Sequence, residues 1–268
     1  MKVLQGIVFD VDGTLADTEE THRQAFNRTF AEFGLDWDWT PRLYADLLKI
    51  SGGFERMRFF GADLRQRFND EAAFLRELRE IHRVKTAIYA QMLLQGEVAL
   101  RPGVRRLIDE ARANGIRMAI ATSTARSNVV TLLNANLPAD WPRWFDSIVT
   151  ADEVSEKKPS PAVYQAALVA AGLDPAKCVA LEDTPNGLRA AHGAGLLTVV
   201  TTHYFTRNEH FPHAGLVVDG LGEPDRHFKV REGDDFDEGY VSLKLLDELL
   251  AKRDEHAAVA TLIQAKAS

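Results

Sequence analysis

The chain has 268 residues, 46% hydrophobic and 26% charged, a composition that suits one large globular domain or two modest ones. Its formal charge of −7 argues against a nucleic-acid or membrane-surface binder, because either needs a basic face. Lone Cys178 excludes an internal disulfide and fits a reducing, cytoplasmic setting, and no apolar stretch approaches a membrane span. The start, Met1-Lys2-Val3-Leu4, carries one charge and reads as no signal peptide.

Residues 3–9 are predicted as a short buried strand, which runs into Asp10, Asp12 and Gly13. Residues 17–97 carry no strand signal. There Phe26, Phe30 and Phe33 recur at helical spacing, and Phe74, Leu78, Ile81, Ile88 and Met92 form a seam in a long helix ending near Gly96. Arg101-Pro102-Gly103 marks a return to a different pattern. Short strands are predicted at 116–122, 147–151, 178–181, 197–201 and 216–218. Between the earlier ones lie helical faces: Val104, Leu107, Ile108 and Ala111, then Val129, Leu132 and Leu133, then Val163, Ala166, Ala167 and Ala170. Cys178 opens the run Cys-Val-Ala-Leu and reads as a small buried hydrophobe, not a nucleophile. Residues 203–240 read as irregular apart from the short strand, and their acidic run 234–238 reads as a solvated loop because its spacing matches no cation-binding loop. A last helix over 241–253 presents Leu245, Leu246, Leu249 and Leu250, and the alanine-rich tail 254–268 is either a packed helix or a frayed end.

Strand alternating with helix implies an α/β fold, a Rossmann-like parallel sheet wound with helices on both faces. A small all-helical domain interrupts it after the first strand. The expected division is 1–16 with 98–268 for the core and 17–97 for the helical insert.

In open α/β sheets, ligands bind beyond the carboxyl ends of the strands. Here the first strand ends at Asp10 and Asp12, and the second at Thr122-Ser123-Thr124. Lys157-Lys158-Pro159 follows the third, and the fourth ends at Glu182-Asp183. Carboxylates gathered at one edge repel each other unless a cation sits among them, and hard oxygen donors suit Mg²⁺. A lysine and a threonine hydroxyl can hold phosphoryl oxygens. One carboxylate is then available to attack phosphorus, and a second, two residues on and on the same side of the strand, to handle protons.

"DVDGT" followed in order by Thr122, Lys158-Pro159 and Glu182-Asp183 resembles the haloacid dehalogenase-like phosphatase superfamily over essentially the whole chain. That resemblance implies that residues 17–97 form the superfamily's small helical cap. It also implies Asp10 as the phosphoryl-accepting nucleophile and Asp12 as the group that protonates the leaving oxygen and then deprotonates water. Thr122 and Lys158 would neutralise the phosphoryl group. Mg²⁺ would be held by Asp10, the backbone carbonyl of Asp12 and Asp183, with Glu182 the weaker candidate.

Within the superfamily, "FDVDGTLADTEE.HR.AFN" from Phe9, "GG.ER" from Gly52, "HR.KT..Y" from His82 and "DGLGEP" from Asp219 resemble the CbbY-type phosphatases. These act on xylulose 1,5-bisphosphate, a Rubisco inhibitor, so the resemblance implies a small sugar phosphate as partner and xylulose 5-phosphate and phosphate as products. Lys85 falls in line with the Ile81–Ile88 seam, with His82 and Tyr89 flanking the same side. On spacing alone it reads as a snorkelling lysine. With Gly52, Gly53 and Arg56 nearby in sequence, an anion site is the better reading. Candidate substrate groups are Asp17, His22, Gly52, Gly53, Arg56, His82, Arg83 and Lys85 from the insert. Ser123, Thr124, Arg126 and Asn128 join them from the core, at a helix start that favours anions and where Ser123 or Thr124 could also cap the helix. His22 reads equally as a substrate-facing or a surface histidine. Two residues depart from the pattern, Phe54 where a basic residue is common and Asp17 where glutamate is. The rival readings are a β-phosphoglucomutase-like isomerase and, from another class, a non-catalytic sugar-phosphate sensor. The expected assembly is a monomer.

Overall fold

The computed structural model describes residues 4–50, 52–61, 65, 68, 70–96, 98–234 and 236–267, with side chains as far as residue 255. Val3 of the first predicted strand and Ser51, just before Gly52, lie outside the described residues. In chain order the elements begin with β1 (Gly6–Phe9), α1 (Glu19–Glu32), α2 (Pro41–Leu47), α3 (Gly53–Phe60) and α4 (Glu71–Leu94). There follow α5 (Val104–Ala113), β2 (Arg117–Ala121), α6 (Arg126–Asn136), β3 (Ser147–Val149), α7 (Ala162–Ala171) and β4 (Cys178–Glu182). The chain continues with α8 (Pro185–Gly193), β5 (Leu197–Thr201), β6 (Leu216–Val218), β7 (Val230–Glu232) and α9 (Leu243–Ala267).

Residue contacts divide the chain into two compact units. The first takes the chain up to Ala16, Leu100–Arg126 and everything from Pro138 onward. It holds one sheet of order β3-β2-β1-β4-β5-β6-β7, parallel except for the β6–β7 pair. β1 is Gly-Ile-Val-Phe with every residue buried, as a strand covered on both faces must be. It lies between β2 and β4, with Gly6 opposite Arg117 on one side and Phe9 opposite Leu181 on the other. The chain winds outward from β1 through β2 to β3, then resumes at β4 on the other side. The strand order therefore reverses between β1 and β4, and their carboxyl ends flank the crevice where such sheets place ligands. α7 packs Val163, Tyr164, Ala167, Leu168 and Ala171 against Val8, Ala119, Ala121, Cys178 and Ala180 of the sheet.

The second unit, Asp17–Ala99 with Ser127–Leu137, contains helices and no strand among its described residues. On the inner side of α1, Phe26 and Phe30 stack on each other, Phe26 meets Trp39 and Tyr44 at tilted angles and Phe30 meets Trp39 edge-on. α4 starts at Asp70, whose side chain accepts from the Ala73 N–H. The grouping differs from the sequence division at 127–137. There Asn136 Nδ2 donates to the Val98 carbonyl at 3.0 Å, tying the end of α6 to the end of the helical segment.

Several local expectations need correction. Phe33 caps α1 and is only half-buried. The α4 seam runs Phe74, Leu78, Ile81, Lys85, Tyr89 and Met92, so Tyr89 and not Ile88 takes the buried position. α7 also buries Tyr164, Leu168 and Ala171, while Ala166 is half-buried against the same core and Ala170 is exposed. β7 was not expected inside 203–240, and α9 extends to Ala267 beyond the predicted 253. Its Leu245, Leu246, Leu249 and Leu250 are buried as expected. Among the described residues, no helix is long and apolar enough to cross a membrane.

Candidate active site

The ladder between β1 and β4 continues one step past the strand, with Asp10 N–H donating to the Leu181 carbonyl at 3.0 Å. The chain then turns sharply. The Val11 carbonyl accepts from Leu15 at 2.9 Å, and Gly13 N–H donates to Ala16 at 2.8 Å. Gly13 has φ 83°, and a Cβ there would overlap the Asp183 carboxylate and lie 2.9 Å from His203 Nε2. Glycine is therefore required twice over, by backbone conformation and by close approach. Asp12 is half-buried and bridges to Ala16.

Asp10, Lys158, Glu182 and Asp183 are all buried. Lys158 Nζ donates to Asp10 Oδ1 at 2.6 Å, to Glu182 Oε1 at 2.5 Å and to Tyr164 Oη at 3.4 Å, which occupies all its protons. Glu182 Oε1 also accepts from Tyr164 Oη at 2.7 Å. Its Oε2 accepts from the Asp183 N–H at 3.0 Å and from Thr184 N and Oγ1 at 3.4 Å. Burial pushes the Asp10 carboxyl well above the usual range. Lys158 opposes that push, while Glu182 and Asp183 add to it. For Lys158, burial works against the charge, but Asp10 and Glu182 outweigh it and hold the ammonium above the usual lysine range. Glu182 is held low despite its burial, because Lys158 and the other donors favour its charge.

Carboxylate oxygens of Asp10, Glu182 and Asp183 lie within 4.8 Å of one another. Asp10 and Glu182 share Lys158, and Asp183 adds a third buried acid beside them, a concentration of negative charge that a divalent cation would relieve. The donors are all hard oxygens, so the set fits Mg²⁺ or a similar ion. Thr122 is buried at the end of β2, where its N–H donates to Val149 at 3.1 Å and its Oγ1 accepts from the Thr124 N–H at 3.2 Å. Ser123 and Thr124 are half-buried, and Asn128 is buried. Arg126 is held down by Glu153 and the Ile148 carbonyl, both at 2.7 Å.

The helical unit gathers a second set. Lys85 is buried, with its Nζ 2.6 Å from His22 Nδ1 and over the rings of Phe26 and Tyr89 at 4.5 and 4.9 Å. Burial to this degree overturns the snorkelling reading. Buried His22 stacks on Tyr89 at 3.8 Å between centroids, which overturns the surface reading of that histidine. Arg56 donates to the Ile50 carbonyl at 2.9 Å and to Tyr44 Oη at 3.2 Å, and Tyr44 in turn donates to buried Glu19 at 2.8 Å. Gly52 has φ 99° at the start of α3. A Cβ on Gly53 would lie 3.0 Å from Phe26 and 3.2 Å from His82, so internal packing already uses that space. His82 meets Phe54 edge-on. Arg83 is not brought to this set: its side chain is exposed and pairs with Glu80 at 2.6 Å. Asp17 is exposed.

The family model of the haloacid dehalogenase-like hydrolases matches residues 4–195. The protein CbbY of Cereibacter sphaeroides is 46% identical over 221 residues, covering 82% of this chain and 94% of its own. The chain belongs to the haloacid dehalogenase-like hydrolase family. This hydrolase stands with the CbbY proteins and is an enzyme of the family's phosphatase branch. It superposes on a crystal structure of a mutant CbbY from Rhodobacter sphaeroides in complex with xylulose 1,5-bisphosphate. The TM-score is 0.73 and the identity 46%, over 81% of this chain and 94% of that one. A β-phosphoglucomutase from Clostridium difficile has TM-score 0.64 at 23% identity, over 81% and 91% of the two chains, which is a likeness of fold.

Sequence reasoning missed several residues of this hydrolase's polar cluster. Tyr164 lies on the helix that follows Lys158-Pro159, where no polar stripe in the sequence marks it for the site. His203 Nε2 lies 2.9 Å from Asp183 Oδ2, and both residues are buried. It follows the carboxyl end of β5, where the strand-end rule points, but it opens a stretch whose sequence carries no periodic pattern. Arg101 donates to the carbonyls of Gly13, Thr201, Thr202 and Asp219, binding the β1 and β5 exits together. Within "DGLGEP", Glu223 accepts from the Gly103 N–H at 2.7 Å and from Arg106 at 3.1 Å, a brace for the start of α5.

Proposed function

We propose that this hydrolase is a Mg²⁺-dependent sugar-bisphosphate phosphatase acting on xylulose 1,5-bisphosphate through an aspartyl-phosphate, as a cytoplasmic monomer. The observation that carries the reading is Asp10, buried at the end of the central strand and held at 2.6 Å by Lys158. Asp10 attacks phosphorus as the bond from phosphorus to the sugar oxygen breaks. Asp12 gives its proton to that oxygen, then takes one from the water that attacks the aspartyl-phosphate and frees phosphate. Lys158 favours the charged form of Asp10 against its burial, and Thr122 donates to the phosphoryl oxygens. Asp10, Asp183 and the Asp12 carbonyl are the groups that would hold Mg²⁺, and Glu182 anchors Lys158. When bound, the ion offsets the negative charge of the phosphoryl group and its acceptor.

The helical unit is the cap in this reading. Its buried Lys85, with His22, and its tethered Arg56 supply cations for a substrate whose second phosphate is not transferred. Those cations, and the 46% identity to CbbY set against 23% to a phosphoglucomutase, support a bisphosphate substrate over glucose 1-phosphate. The test is phosphate release with Mg²⁺ from xylulose 1,5-bisphosphate, ribulose 1,5-bisphosphate and β-glucose 1-phosphate. Preference for the xylulose compound is expected. Conversion of glucose 1-phosphate to glucose 6-phosphate without phosphate release would replace this reading with the isomerase.

A further inference from the structure

We propose that His203 is the positioning residue for Asp183: by donating from Nε2 it fixes which carboxylate oxygen is left to face the metal ion. The proposal rests on the reading that Asp183 is a Mg²⁺ ligand.

His203 is itself rigidly placed. Its N–H donates to Thr206 Oγ1 at 3.1 Å, and its carbonyl accepts from the N–H groups of Thr206 and Arg207 at 3.1 and 2.9 Å. The preceding carbonyls of Thr201 and Thr202 are held by Arg101 at 3.0 and 2.7 Å. The ring has little freedom left. Its Nδ1 accepts from the Phe205 N–H at 3.4 Å, which assigns the ring proton to Nε2, 2.9 Å from Asp183 Oδ2. The Thr14 hydroxyl approaches the other oxygen, Oδ1, at 3.4 Å. Of these two buried contacts the short one is to Oδ2 and the long one to Oδ1. Gly13 closes the arrangement, because a Cβ there would strike the Asp183 carboxylate and His203 together. A histidine that donates its ring N–H to a ligating carboxylate restricts that ligand's rotation, and loss of such partners typically lowers metal affinity about 10- to 100-fold.

Two polar variants separate this role from a merely structural one. In His203→Gln the amide nitrogen falls near the position of Nε2 and can still donate to Asp183. In His203→Asn it falls near Nδ1 and is too short. Mg²⁺ affinity is measured on the substrate-free proteins by isothermal titration calorimetry and by the Mg²⁺-dependent rise in Tm. The expected result is near-native affinity for His203→Gln and affinity weaker by about tenfold or more for His203→Asn. Equal affinities in the two variants, whether both native or both weakened alike, overturn the proposal while the wild type still binds Mg²⁺. A wild type that binds no Mg²⁺ overturns the metal reading of Asp183, and this proposal with it.

Discussion

Replacing Lys158 with methionine keeps most of the side-chain volume and removes the cation that bridges Asp10 and Glu182. An exposed pair would lose about 1 kcal/mol or less. Here the side chains of Lys158, Asp10 and Glu182 are 6%, 7% and 1% exposed, and the contacts are 2.6 and 2.5 Å. Breaking a buried pair from one side costs about 3–5 kcal/mol, because the other charge is left uncompensated. Glu182 keeps Tyr164, Thr184 and the Asp183 N–H as donors, so Asp10 carries most of the cost. That places Lys158→Met near the low end, about 3 kcal/mol, a large share of a typical stability of roughly 5–15 kcal/mol. For a chain of this size the drop in Tm is about 6–12 °C. Chelated protein is followed by calorimetry and urea unfolding. Adding Asp10→Asn to Lys158→Met replaces the stranded carboxylate with a neutral amide and recovers most of the loss. A loss below about 1 kcal/mol, or an Asp10→Asn change that deepens it, refutes the reasoning, because the acid and the lysine would not then be coupled.

Gly13→Ala forces a left-handed alanine and drives its methyl into Asp183, so it loses at least about 1–2 kcal/mol and most Mg²⁺-dependent turnover, read by urea unfolding and phosphate release. Cys178 is buried in the sheet and its thiol is pushed up to about 12, chiefly by burial, so it is protonated at pH 8. Iodoacetamide at that pH leaves the native protein unlabelled by mass spectrometry and labels it once in urea. Tyr44→Phe removes one of the tethers on Arg56 and a donor to Glu19. It raises KM for a sugar bisphosphate several-fold and leaves KM for monophosphates unchanged, as measured by steady-state kinetics. EDTA abolishes phosphate release and excess Mg²⁺ restores it, checked by dialysis and add-back.

Strands β1 to β6 were readable because each is a short apolar run with breakers on both sides, and β1 is buried throughout, whereas β7, Val-Arg-Glu, has no such run. α5 was readable because Val104, Leu107, Ile108 and Ala111 are its only buried face. α7 was not: Ala-Val-Tyr-Gln-Ala-Ala-Leu-Val-Ala-Ala has one polar residue in ten, so no stripe marks which side meets the sheet. In α4 the seam's register was lost at a lysine, because a buried Lys85 held by His22 and two aromatic rings carries no apolar signal. The acids at the strand ends were legible by type and place. Their pairing was not, since it depends on β4 lying beside β1 in the register Phe9 opposite Leu181. Only that neighbourhood turns Glu182 from a spare metal ligand into the anchor of Lys158.

The cluster holds more acids than a nucleophile and its proton partner require, and the hydrogen bonds explain the surplus. Glu182 receives donors on both oxygens from Lys158, Tyr164, Asp183 and Thr184, so it is a satisfied buried anion whose work is to fix the lysine. Lys158 has no proton left over, so its position is set before any substrate arrives. Asp10 is the opposite case. Among the described residues its side chain is held by the lysine, while burial and two neighbouring carboxylates work against its charge. A carboxylate whose charge its surroundings oppose is stabilised by whatever cation the cluster accepts. Metal binding and folding of the core are then linked: Mg²⁺ at 100 times its Kd adds about 2.7 kcal/mol of stability if it binds the folded state alone. Replacing Asp10 with asparagine removes part of the need for that ion. The metal-free variant should therefore be at least as stable as the metal-free parent, and its Tm should rise less on adding Mg²⁺.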